Sequence, residues 1–191
     1  MLRLLTRAAL SFVFAAPPGI ALAADSTDVA THRTRLRLAS VAEQPAGVIE
    51  VIQQLKAQPA QPGQPKSREV TVVGQIGGMP NPWSDTHPDF PWFAGQGSFF
   101  LVDAKVAGQF AQHAKSHGGD HNCAFCQNLA AKNARNIAVV NLVDENGEII
   151  KVDTRELLGL KESQRVVIRG RAELLGGTML VIHADGVHIR R

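Results

Sequence analysis

Five side chains that bind soft or borderline metal ions fall within one run of 14 residues, HAKSHGGDHNCAFC: His113, His117, His121, Cys123 and Cys126. The whole chain of 191 residues holds only seven His and two Cys, so chance is a poor explanation for the cluster. Two thiolates and two imidazoles are the donor set of a tetrahedral zinc ion. Copper accepts the same donors, with geometry rather than affinity deciding between the two. Zinc is therefore the first expectation and copper the second. On one continuous helix His113 and His121 would stand about 12 Å apart, so a single ion cannot use all three histidines. Four of the five residues are expected to bind, and the sequence does not choose which histidine is left over.

The same residues allow other chemistry. Cys123-Ala124-Phe125-Cys126 is a CxxC pair, and at a helix N-terminus such a pair serves as a redox-active or plain disulfide. A thioredoxin-like protein would surround it with βαβ units, which this chain lacks. Covalent haem attachment would need a histidine after the second cysteine, where Gln127 stands. The bland alternative is that the histidines are solvated helix residues. Catalysis would require an open coordination position, a general base and a pocket. Asp120 and Asp103 are the nearby carboxylates, but their spacing is not diagnostic, so the sequence leaves open whether the protein is an enzyme.

Positioning these residues requires local helix. KVAGQFAQHAKSH, residues 105–117, can form one helix with His113 and His117 on one face at i and i+4. Gly118-Gly119 ends it. Asp120 or Asn122 can cap a second helix beginning near Cys123, whose first turn holds both cysteines. So short a link makes the two helices fold back on each other, bringing imidazoles to thiols.

The surrounding sequence reads as strands. Glu69 to Ile76, Ser98 to Val102 and Ile137 to Val143 are β-rich, the last closed by Asp144-Glu145-Asn146-Gly147 with Glu148 to Val152 as hairpin partner. Thr154 to Leu160 offers one or two helical turns with Thr154 as N-cap. A second hairpin pairs Arg165 to Leu174 with Thr178 to Ala184 through Gly176-Gly177, and Val187 to Ile189 extends it. The expected class is mainly β, a small antiparallel barrel with a short helix. With VTVVGQIGG as a long first strand, a short helix at TRELLGL, and RVVIRGRAELLGGTMLVIHADGVHI as the final pair, residues 68–191 resemble an oligonucleotide/oligosaccharide-binding (OB) fold. That resemblance implies an OB-like barrel interrupted by a helical His/Cys-rich insertion at residues 104–136.

It also implies ligand-binding loops. Trp83 to Phe93, which holds both tryptophans, would be the first strand-to-strand loop, able to stack a flat ligand or to plug the barrel's open end. His87 is a weak extra ligand candidate, and His183 and His188 read as surface or packing residues. A metal-free OB module binding a ligand or nucleic acid is thus a further alternative. Charge argues against nucleic acid: residues 68–191 carry 13 Lys+Arg and 13 Asp+Glu, where phosphate binding favours a basic groove. Arg165, Arg169 and Arg171 fall on one strand face, most simply a solvated one.

Residues 24–67 are polar and Pro-rich, with the basic stretch His32 to Arg37 expected to be disordered or one edge strand. Val48, Ile49, Val51, Ile52 and Leu55 recur at helical spacing, which predicts a short amphipathic helix ending before Pro59. QPAQPGQPK reads as a linker, so the compact domain is expected from about Arg68. Residues 1–23 combine a basic start, an apolar run from Ala8 to Ala16, a Pro17-Pro18 break and Ala21-Leu22-Ala23, the pattern of a secretory signal peptide. The expectation is an exported, periplasmic or extracellular protein with no stable membrane span after cleavage. Loss of Arg3 and Arg7 would lower the formal charge of +3 to +1. Outside the cytoplasm a thiol pair is oxidised unless a metal or redox partner keeps it otherwise. Two cysteines exclude a multi-bridge scaffold and a four-cysteine zinc ribbon.

Overall fold

Alternating apolar residues along five strands close a barrel whose inward positions form one core. The computed structural model describes residues 26–41, 44–59, 66–116 and 123–190; the signal-peptide reading of residues 1–23, and the prolines and glycine at 61–65, lie outside them. The barrel strands are β2 (Ser67–Ile76), β4 (Ser98–Asp103), β5 (Ile137–Leu142), β6 (Arg165–Leu175) and β7 (Met179–Ile189). They pair in the cyclic order β2-β4-β5-β7-β6 and back to β2. Four pairings are antiparallel and β5–β7 is parallel, so the closed barrel is mixed, with an order compatible with the OB-like reading. Two outer strands complete the sheet: β1 (Ala46–Gly47) parallel to β2, and β3 (Trp92–Phe93) antiparallel to β4.

β2 closes the barrel by pairing with β6 along one edge and with β4 at the end of the other. Val72 and Val73 pair with β1 on one edge, and Gly74 to Ile76 then pass to β4. A Cβ on Gly74 would lie 2.6 Å from Leu101 Cγ and 2.8 Å from the Val102 carbonyl oxygen, so only glycine permits this crossing. The final hairpin turns at Gly176 and Gly177, with φ of 58° and 75°, values that side-chain-bearing residues rarely adopt.

Among the described residues five α-helices precede or interrupt the strands in chain order. α1 (Ser26–Leu36) and α2 (Val48–Ala57) come before β2, and α3 (Ala104–Ser116) and α4 (Ala124–Asn133) lie between β4 and β5. Where the sequence suggested disorder or an edge strand, residues 26–36 are helical, and only Arg37 bridges to Val187. The reason is long-range. α5 (Thr154–Leu158) ends with carbonyls that lack intrahelical partners. Arg33 Nε donates to the Leu157 carbonyl at 2.8 Å, Arg33 also to that of Glu156, and Arg37 to that of Leu158; Arg35 donates to the Val143 carbonyl. The basic stretch is thus an arginine clamp on a helix C-terminus, where cations also meet the negative end of the helix dipole.

α2 agrees with its apolar periodicity. Val48, Val51, Ile52 and Leu55 are buried in the same core as Val72, Leu101, Val140, Ile168 and Ile182, each apolar side chain contributing roughly 1.5–3 kcal/mol by leaving water.

Two local expectations are corrected. The hairpin across residues 144–147 reduces to a single bridge, Val143 to Ile149. The Ile150 carbonyl instead accepts from Gly97 N–H at 2.7 Å, and Ile150 and Val152 turn into the core. At α5 the N-cap is Asp153, whose carboxylate accepts from Arg155 N–H at 2.9 Å. Thr154 is buried in the first turn and its hydroxyl donates to the Ser98 carbonyl.

The outward positions of β4 and β5 carry a second apolar cluster. Phe100, Val102 and Ile137 are covered by Val106, Ala107 and Phe110 of α3 and by Ala130 of α4. The helical insertion therefore sits on the outside of the barrel wall.

Candidate metal centre

The stripe that fastens α3 to the barrel also fixes His113. Val106, Ala107 and Phe110 are the buried residues of α3, and His113 continues their spacing one turn further, past the edge of the apolar patch. α4 is arranged the other way round, with its first turn at the site and Ala130 anchored on the barrel wall. The start of α3 is held by Asp103, whose Oδ1 accepts from Lys105 N–H at 2.9 Å.

Three of the five candidate ligands converge. His113, Cys123 and Cys126 bring one donor atom each to within 4.8 Å of one another. His113 Nε2 is 3.8 Å from Cys123 Sγ; an imidazole and a thiolate on one tetrahedral zinc ion would be separated by about 3.5 Å, given their usual bond lengths. The two sulfurs are 2.8 Å apart and not joined. His117 and His121 lie outside the described residues, as do Asp120 and Asn122. The fourth ligand of a tetrahedral set is thus unassigned by the geometry, while the other three are assembled.

Cys123 is itself the N-cap of α4. Its sulfur accepts a hydrogen bond from Cys126 N–H at 3.1 Å. A backbone donor and the positive end of a helix both stabilise a thiolate, the form that binds metal and attacks disulfides. Cys126 is 1% exposed and Cys123 intermediate, so one thiol faces outward and the other inward. Phe125, 61% exposed, lays its ring 5.0 Å from that of His113 and covers one side of the imidazole.

The remaining sequence candidates go elsewhere. Asp103 is not a base at this centre: it is 3% exposed, and its second oxygen accepts from Ile49 N–H at 3.1 Å, so both oxygens cap helices. His87 lies among Trp83, Phe93 and Phe100. His183 stands 3.4 Å from Glu173, and His188 Nδ1 is 3.0 Å from the Leu38 carbonyl oxygen. Of the loop aromatics, Trp92 joins the barrel core, whereas Trp83, Phe90 and Phe93 pack on the outside around Phe100. Arg165, Arg169 and Arg171 are exposed, with Arg169 paired to Asp185 and Arg171 donating to Ser67.

No family model, no curated protein and no solved structure matches the chain. What the site does must therefore be argued from its own chemistry. That donor set can hold a metal ion in the thiolate and imidazole forms, or can exchange a disulfide through the two sulfurs. Among the described residues no helix is long and apolar enough to cross a membrane.

Proposed function

We propose that the protein binds one transition-metal ion, zinc in preference to copper, through His113, Cys123 and Cys126, with His117 or His121 as the fourth ligand. The observation that carries this reading is the position of His113. An imidazole nitrogen 3.8 Å from Cys123 Sγ, presented from a different helix, is needed by a metal and not by a disulfide. The role is structural. α3 leans on β2 and β4, whereas α4 leans chiefly on the turn that follows it. An ion shared between His113 and the cysteines ties the two helices together, and the ligation energy becomes folding energy for a segment with little apolar surface of its own. The scaffold is an OB-like barrel, and residues 1–23 support export.

The test is metal analysis of untagged protein together with thiol counting. One ion per chain, lost in the Cys123→Ser/Cys126→Ser double variant and in His113→Ala, is the expected result. No ion in any preparation, with both thiols consumed in a reducible bond, would overturn it.

A second reading, a thiol–disulfide protein, is favoured by one feature: the outward Cys123 caps a helix and the inward Cys126 lies behind it. Cys123 thiolate would attack a partner disulfide, and Cys126 would then displace it, leaving the partner reduced and the pair oxidised. A metal-free protein whose pair cycles with a dithiol reductant supports this alternative.

A further inference from the structure

Beside the helical insertion, the outer wall of the barrel is left open as a groove of about 460 Å3, within the range of small-ligand sites, about 300–1,000 Å3. Its floor comes from outward positions of adjacent strands. Val139 pairs with Val181, Asn141 with His183, and Val181 in turn with Glu173. One wall is the aromatic loop, whose Phe93 and Trp83 rings lie 4.8 Å and 4.9 Å from that of Phe100 on β4. The opposite rim is the tip of the last hairpin. There Leu175 and Met179 face each other across the turn, 62% and 39% exposed. Among the described residues they are two of the three large apolar side chains left in water, and both are at this rim.

The polar side chains on the lining are Thr86, His87, Asn141, Glu173 and His183, and His183 Nε2 stands 3.4 Å from Glu173 Oε1. Asn141 Oδ1 accepts from Ser98 Oγ at 2.8 Å, and no hydrogen bond occupies its Nδ2. Glu173 is the one carboxylate on the lining, and no Lys or Arg lines it. Aromatic faces carry negative charge density that attracts cations. A phosphate-bearing strand would find here a carboxylate, ring faces and neither Lys nor Arg, the reverse of the basic groove that polyanions need.

We infer that this groove is a binding site for a planar aromatic cation, stacked on the aromatic wall with its positive charge toward Glu173. The site is separate from the metal centre, and the inference does not rest on the metal reading.

The experiment is equilibrium dialysis of the full chain against three planar three-ring molecules that differ in charge: proflavine as cation, acridine above neutral pH as the uncharged form, and anthracene-2-sulfonate as anion. Saturable binding of one proflavine per chain is expected, with acridine weaker and the sulfonate weaker still. Glu173→Gln should weaken proflavine about tenfold, as loss of one charged contact does, while leaving acridine unchanged. Met179→Arg, at the exposed rim, should weaken proflavine and strengthen the sulfonate. Three results would each overturn the inference: no saturable binding of proflavine, an affinity unchanged in both variants, or binding of the sulfonate as tight as that of proflavine.

Discussion

Cys123 Sγ lies 2.8 Å from Cys126 Sγ, whereas two thiolates on one tetrahedral ion stand about 3.8 Å apart. The pair is therefore closer than an ion would hold it, and ligation would spread the sulfurs by roughly 1 Å through a turn of Cys123 at the mouth of α4. Ligation and oxidation become mutually exclusive states of the same two atoms. Protein oxidised with a mild disulfide reagent should bind no metal, and zinc-loaded protein should resist that reagent compared with chelator-treated protein. Metal retained after complete oxidation of both thiols would show that the ion sits elsewhere. The readout is thiol counting alongside metal content.

The weak attachment of α4 makes a regional prediction. Chelation should raise hydrogen–deuterium exchange in residues 123–136 and near His113, with little change in β6 and β7, whose pairing is continuous and independent of the insertion. Uniform loosening of the barrel, or no change at all, would contradict a stapling role.

The candidate site was legible in sequence because its signals are short-range. His113 and the CxxC pair sit within 14 residues, and the helical spacing of Val106, Phe110 and His113 can be read directly from the chain. The strands of the final hairpin were equally local, announced by Gly176-Gly177. What escaped was tertiary. Arg33 finds its acceptors more than 120 residues away, and no periodicity marks an arginine that caps a distant helix. The hairpin after β5 is cut short to one antiparallel bridge for the same reason, since Gly97 claims the Ile150 carbonyl. Asp103 misled because a lone carboxylate beside a histidine-rich segment looks the same in sequence whether it serves as a base or as a cap.

Asp153 gives a pH dependence with a definite sign. The side-chain hydrogen bond from Arg155, 2.6–2.8 Å, holds its carboxyl below the usual range, and the N–H of Arg155 acts in the same direction. A depressed folded value means the stabilisation is complete above the unfolded carboxylate pKa of about 3.9 and is lost as pH falls through the lower folded value. Arg155 is more than half exposed, so solvent screening keeps the ion-pair part small. Asp153→Asn should therefore be slightly less stable than the parent near neutral pH, with the gap closing in strong acid. Asp153→Ala, which also loses the α5 cap, should cost about 1 kcal/mol near neutrality. Urea unfolding across a pH series checks both; a gap that widens on acidification would refute the assignment.

Asp103 joins two helices that the sequence gives no reason to connect. α2 has no cap of its own, because Gly47 at its N-cap position has no side chain, and Asp103 Oδ2 from the end of β4 supplies the acceptor for Ile49 N–H. Oδ1 does the same for α3. Gly47 is required by this arrangement for a steric reason, since a Cβ there would stand 2.8 Å from Asp103 Oδ2. Removing the carboxylate in Asp103→Ala leaves two N–H groups without an acceptor, a loss of roughly 2–4 kcal/mol from two caps in a buried setting. Asp103→Asn retains one carbonyl oxygen and should fall about halfway. In Gly47→Ala the methyl must displace the carboxylate, so that variant should lose stability in the parent but little in an Asp103→Ala background. A double-mutant cycle by thermal or urea unfolding measures the coupling directly. Additive losses would mean that the two residues do not share the space the geometry gives them.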